Sequence, residues 1–331
     1  MSKADNPRRH HYVPQHYLRR WSPDGKRVLV MKLPVSEGGF VASTKDLAVE
    51  TNLYAIETPD GLDQTVERDI TRPIDDAFSK AIEALLRGEF GAVSVMDLAT
   101  AVGFQFARGP EVKAQLEHIA TEVARAKEKF SSLFKGEEVD EAALASIVEK
   151  PAQNEWVTSL LSSVAHMAAV FGEMRWHFVY FPEPMLVTSD SPISFWRRES
   201  LDRENIGLGL MSVDEVRLPL SPTLALVMSW EPGETQAVSG DAAMARELNI
   251  GTCEFAMRQR VFAYPEPLPP MPQTEAEFER RPVVADLSVL PPMHEHRRSM
   301  RDRLLGEVEQ IPGLEDVAAL LREEPEGEDE G

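Results

Sequence analysis

The densest concentration of chemically capable side chains lies near the start, in His10-His11-Tyr12-Val13-Pro14-Gln15-His16-Tyr17-Leu18-Arg19-Arg20-Trp21. Three of the eight histidines fall within seven residues there. Histidine changes charge near neutral pH, so it can act as general acid, general base or metal ligand. A second candidate is Arg108, which ends an apolar helix. A buried guanidinium is costly without an anion, so Arg108 calls for a carboxylate or an anionic ligand. The plainer alternative is that it caps the helix carbonyls or reaches solvent beside Gly109-Pro110. A third is Asp190, in the turn Ser189-Asp190-Ser191-Pro192 that follows an apolar strand. Such a turn lets the carboxylate accept backbone N–H bonds, and is also where catalytic carboxylates sit.

The elements that must position these groups can be read outward. Pro14 suits the first position of a short helix, and Val13 before it is biased toward extended backbone. His10 and His11 therefore occupy an extended lead-in and point to opposite sides. Tyr17, Leu18 and Trp21 share one helix face and form an anchor, with Gln15 on a neighbouring face. Ser22-Pro23-Asp24-Gly25 stops the helix. Strands are expected at 27–33, 40–43 and 53–56. From 63 to 86 the period turns helical, and Pro73 should divide that stretch into two helices. Glu67, near its apolar stripe, reads as a solvated flank residue. Ser94 opens an apolar helix on which Ala101, Gln105 and Arg108 share a face. Helices over 111–134, 140–149 and 152–171 follow, with His118 and His166 isolated on them. Strands return at 175–181, 185–188, 193–196, 224–230 and 261–264. Leu218 to Pro222 reads as a rigid connector, and 241–259 as a helix carrying Asn249 and Cys253.

This pattern is α+β: a mainly antiparallel sheet with a large helical insertion, about 63–173, between N-terminal and C-terminal strands. Each strand set alone is too small to bury its apolar residues, so the two should share one sheet or pack face to face. Residues 1–264 form one domain. Residues 265–331 carry ten of the 24 prolines, 17 acidic and 7 basic residues, and form an acidic extension with a disordered end.

The formal net charge is −20, which argues against generic nucleic-acid binding. A single cysteine, Cys253, excludes an internal disulfide. No apolar leader and no membrane-length run occurs, so a cytoplasmic protein is expected. Phosphate-loop, dinucleotide-fingerprint, nucleophile-elbow and HExxH patterns are absent.

His10-His11-Tyr12-Val13-Pro14-Gln15 with Tyr17-Leu18, Gln105 to Pro110, Thr188-Ser189-Asp190-Ser191-Pro192, Pro219 to Pro222, and Asn249 before Val261-Phe262-Ala263 resemble the uncharacterised, mostly bacterial domain-of-unknown-function family 4238. The resemblance covers roughly 8–264 and brings no activity with it. It implies that His10, His11, Gln15, Arg108, Asp190 and Asn249 belong together.

Two functions are open. In an enzyme, a hydrolase or phosphodiesterase-like activity, His10 or His11 would be general base or metal ligand. Asp190 would orient the histidine or hold a divalent metal, and Arg108 would steady an anionic group. Gln15, Gln105, Ser189 and Asn249 would bind the ligand. In a non-catalytic module the same residues would form a fixed polar network for a small anionic ligand or a partner protein. The first reading requires His10 or His11, Arg108 and Asp190 to converge, with Asp190 as the carboxylate that meets Arg108.

Overall fold

A computed structural model of the chain describes residues 9–33, 39–135, 140–197, 210, 213–257 and 260–263. The acidic extension over 265–331 lies outside the described residues.

The chain begins with strand β1 (Arg9–His11), a short helix α1 (Gln15–Leu18) and a 3-10 turn over Arg19–Trp21. Strands β2 (Arg27–Lys32), β3 (Gly39–Ser43), β4 (Val49–Thr51), β5 (Ile56–Thr58) and β6 (Gly61–Asp63) follow. Helices α2 (Arg72–Leu86), α3 (Val95–Ala107), α4 (Pro110–Lys135), α5 (Glu141–Ser146) and α6 (Gln153–Glu173) make the insertion. The chain then returns as β7 (Arg175–Tyr180), β8 (Val187–Ser189), β9 (Ser194–Trp196), β10 (Glu215–Ser221), β11 (Leu224–Ser229) and β12 (Gln236–Ser239). Helix α7 (Ala242–Glu254) and β13 (Arg260–Ala263) close it.

The two strand sets do share a sheet. Its order is β3-β2-β13-β8, antiparallel throughout, so the N-terminal hairpin is completed by strands from the far side of the helical insertion. A five-stranded sheet, β12-β7-β11-β10-β9, is antiparallel except for the β12–β7 pair. The ribbons β1–β4 and β5–β6 stand apart from both. One hydrophobic core joins residues from the opening segment, the helices and the β7–β11 strands. Within the insertion, α3 packs tightly on α6 because Gly103 lets the backbones meet. A Cβ there would lie 2.8 Å from the Ala168 nitrogen.

Tyr17, Leu18 and Trp21 are fully buried, as their shared face requires. The Tyr17 hydroxyl accepts from Thr188 Oγ1 at 2.7 Å and donates to the Pro219 carbonyl, tying α1 to a strand of each sheet. Those two bonds fix the opening segment against the body.

Two expectations are corrected. Residues 218–222 belong largely to β10, which lies between β9 and β11. Pro219 brings no N–H to the ladder; the register shifts between Pro219 and Ser221, which accommodates the defect. Pro73 does not divide the helix. A π-helical turn over Glu67–Thr71 precedes it, in which the Arg72 N–H reaches the Glu67 carbonyl. The extra residue in that turn relieves the contact that Pro73 would otherwise make with the preceding turn, so the helix runs on through α2.

Candidate functional site

Arg108 is the organising charge. It is 2 % exposed, and its guanidinium lies 4.6 Å from the Phe104 ring centre. The carboxylate that meets it is Asp75, not Asp190: Nη2 donates to Asp75 Oδ1 at 2.8 Å and Nη1 to Oδ2 at 3.3 Å. Gln105 Oε1 accepts from Arg108 Nε and Nη2, while Gln105 Nε2 donates to the Tyr12 carbonyl at 3.0 Å. Burial opposes the charge of Arg108 most strongly. Asp75 and Tyr54 offset it, so the guanidinium stays above its ordinary value. A two-pronged carboxylate and an amide oxygen thus satisfy the cation internally.

The histidines divide. His10 is 1 % exposed; its Nδ1 accepts from the Tyr54 N–H at 3.1 Å and its ring stacks on Tyr54 with centroids 5.3 Å apart. His11 is half-buried, and its Nε2 lies 3.3 Å from the Thr44 carbonyl. A carbonyl only accepts, so Nε2 carries the proton and Nδ1 keeps its lone pair. Burial first, then Arg108 and Arg9, pull the His11 pKa below its usual value against the opposing pull of Thr44 and Asp75. His16 is driven down to about 3 by burial, with Arg20, Arg108 and Arg19 adding to it. Both rings are therefore neutral at pH 7.

Glu67 is the residue that the sequence reading placed in solvent. Its side chain is only 16 % exposed, and Oε2 is sealed with no hydrogen-bond partner among the described residues. Burial, then the neighbouring Asp75, push its carboxyl up to about 7, while Arg72 and Arg108 oppose the rise. A helical period of 3.6 cannot show this, because the π-turn rotates Glu67 inward from the flank.

Gln15 shares Thr44 with His11, and the remaining candidates lie elsewhere. Gln15 Nε2 donates to Thr44 Oγ1 at 3.3 Å, and Gln15 Oε1 accepts from Arg19. Asn249 is fully buried and bridges α7 to the segment entering β8: Oδ1 accepts from the Val187 N–H, and Nδ2 donates to the Met185 carbonyl. Ser189 Oγ donates to the Ser191 carbonyl at 2.6 Å and accepts from the Ser191 N–H, closing the turn on itself. Asp190 is buried, with Glu111 as its electrostatic neighbour. Glu111 is held above its ordinary value, at about 7, first by burial and then by Asp190; a Ser191 hydrogen bond opposes the rise. Glu111, Ser191, Phe106, Phe195, Phe255 and Gln105 line a small pocket. Gln105 thus touches both the Arg108 network and this pocket, whereas His10, His11 and Arg108 do not line it.

Sequence reasoning missed Asp75, Tyr54, Glu67 and Glu111 as members. They come from three separate segments, and Asp75 meets Arg108 across 33 positions. The weak signal was the buried arginine, which called for an anion; the expected Asp190 was the wrong choice because Asp75 on α2 reaches it instead. Among the described residues, no group of three or more His, Cys, Asp or Glu side chains is placed to hold a metal ion. No helix among them is long and apolar enough to cross a membrane.

Fold and site define an α+β protein whose polar groups gather at the C-terminal turn of α3. The chain belongs to the DUF4238 family of proteins of unknown function, whose family model matches residues 9–266. No curated protein and no solved structure matches it.

Proposed function

We propose that the protein is a hydrolase of phosphodiesterase-like type, with His11 as general base and Glu67 as general acid. The observation that carries this is the complementary state of the two groups near neutral pH. His11 is held neutral with a free Nδ1 lone pair, and Glu67 holds its proton up to about 7. Paired titratable groups whose surroundings set them in opposite protonation states are the signature of acid–base work. Both are partly accessible, and both feel Arg108 and Asp75. His11 Nδ1 would take a proton from water as it attacks phosphorus or an acyl carbon. Glu67 would hand its proton to the departing oxygen. Arg108, satisfied by Asp75, would hold the two in place rather than touch substrate. The exposed Arg9 near His11 and the exposed Arg72 near Glu67 favour an anionic substrate.

The test is hydrolysis of bis(p-nitrophenyl) phosphate and its diphenyl analogue over roughly pH 5 to 9. The expected profile is bell-shaped with an alkaline limb near 7. Glu67→Gln should lower the rate by ~100-fold or more, with the larger loss on the phenyl leaving group, which needs protonation more. Equal rates in Glu67→Gln, His11→Gln and the wild type would reject the proposal. The second reading, a non-catalytic module built on a fixed polar network, is favoured by one feature: Arg108 and Asp75 bond each other directly through two N–H groups.

A further inference from the structure

Helix α4 carries an apolar stripe that outruns the body of the protein. Val112, Leu116, Ile119, Val123, Ala126 and Phe130 follow one another at alternating steps of four and three, which puts them on one face of the helix. At its start the stripe is covered: Val112 lines the Glu111 pocket and Leu116 packs against the core. Beyond Leu116 the same face leaves the body. Ile119, Val123 and Phe130 are 44 %, 47 % and 62 % exposed, and Ala126 between them is exposed as well. The opposite face is the one that α4 sets against its own chain. Thr121 is buried there; its hydroxyl donates to the Glu149 carbonyl and accepts from the Glu149 N–H, each at 3.0 Å. Arg125 donates to the Ala145 carbonyl from the same side. Helix α4 is thus held by its back, with an apolar front turned outward. Single exposed apolar residues are ordinary, but four in heptad register are a docking surface.

The four exposed positions are symmetric about their own centre. Two copies laid antiparallel set Val123 on Ala126 and Ile119 on Phe130, and each contact recurs across the two-fold axis. A surface that complements itself in this way is what a symmetric dimer requires. Glu122 and Lys129 lie on the same side of the stripe, so the axis also brings each beside the opposite charge on the other copy. A parallel pair would bring both bodies to the same end of the same face, where Val112 and Leu116 are already covered. We propose that Ile119, Val123, Ala126 and Phe130 dock on the same stripe of a second copy of this chain, antiparallel about a two-fold axis. The helix is already formed and held, so little ordering opposes docking. A contact of this length lies at the low end of specific interfaces, below about 1,200 Å², so the dimer is weak and depends on concentration.

The readout is the mass of the full chain by sedimentation equilibrium over roughly 1 to 200 μM, the range that a contact of this size calls for. The formal net charge of −20 repels a second copy at long range, so the measurement is made at about 0.15 M salt, where screening acts within about 8 Å. The mass should rise from one chain towards two across the range. Val123→Glu and Phe130→Glu, both at exposed positions, should stay single chains throughout and melt as the diluted wild type does. Lys129→Glu sets like charges beside Glu122 across the axis and should weaken the dimer roughly three- to tenfold. Adding Glu122→Lys should restore it. A single chain at the highest concentration, a dimer that survives Val123→Glu and Phe130→Glu, or a double exchange that recovers nothing would each overturn the proposal. Glu variants that melt well below the diluted wild type would overturn it too, because the stripe would then be covered from within its own chain.

Discussion

The Arg108 network and the Glu111 pocket use neighbouring turns of the chain to opposite ends. At Arg108 a buried cation meets Asp75 through two N–H bonds, with Gln105 and the Tyr12 carbonyl completing the chain. At Glu111, three residues on, a carboxyl lies beside Asp190, and among the described residues no Lys or Arg lines the pocket there. The first arrangement is internally balanced and holds a fixed geometry. The second places two carboxyls together, with burial and Asp190 raising the Glu111 pKa and a Ser191 hydrogen bond opposing the rise. Gln105 belongs to both, through its amide to the network and through its place in the pocket wall. The contrast separates scaffold from site: a compensated buried charge is poor evidence of a binding group, and an uncompensated one is better evidence.

The largest expected effect comes from breaking the balanced side. Asp75→Ala leaves Arg108 buried without its carboxylate and should cost about 3–5 kcal/mol by chemical denaturation. Asp75→Leu combined with Arg108→Met should recover much of that loss, since a matched apolar pair replaces two charges. Asp190→Ala should cost far less than Asp75→Ala; the reverse ranking would place Arg108's counter-charge at Asp190 after all.

Next is the unbalanced side. Glu67 and Glu111 both keep their protons to about 7 in the folded chain, against an ordinary 4.5. A raised carboxyl pKa stabilises the fold fully below the unfolded value. That stability is lost as pH rises through the folded value. Stability should therefore decline between about pH 4.5 and pH 7 through these groups. Glu67→Gln should gain on the order of 2 kcal/mol relative to wild type at pH 8 and nothing at pH 4, read from melts at both pH values. A gain of the same size at both would show that the group is not titrating in this window.

A smaller effect is expected at the link between the opening segment and the sheets. Tyr17→Phe removes the bonds to Thr188 and the Pro219 carbonyl and should cost about 1–3 kcal/mol, because the carbonyl is then buried without its donor. A loss under a few tenths would mean that packing alone holds α1 in place.

Much of the frame was legible in the sequence. The face shared by Tyr17, Leu18 and Trp21 announced an anchor, and all three are sealed in the core. Ser94 was read as a helix start, and its hydroxyl accepts from the Asp97 N–H at 3.2 Å. That the N-terminal and C-terminal strands would share a sheet or pack face to face followed from the small size of each set, and β2 does pair with β13. What failed to show depended on departures from regular periods or on distant partners. The inward turn of Glu67 rests on one extra residue in a π-turn, which a 3.6 period hides. Pro219 inside β10 rests on a register shift, and strand rules argue against such a proline. Burial cost called for an anion beside Arg108 and the turn acid Asp190 was the expected one, whereas Asp75, the actual partner, sits on a helix where acids are ordinarily solvated. Glu111 looked like a favourable charge in a first helical turn, and only the packed aromatic wall gives it another character.

The proposed acid–base pair requires Glu67 to keep its proton near neutral pH while His11 stays neutral. The direct measurement is a titration of carbonyl-labelled glutamate by NMR, with the Glu67 resonance assigned from its disappearance in Glu67→Gln and the Glu111 resonance assigned likewise. The expected midpoint for Glu67 is about 7, with His11 titrating below its ordinary 6.5 in the same sample. A Glu67 midpoint at the ordinary 4.5 would contradict the acid–base site and leave the network around Arg108 as scaffold alone.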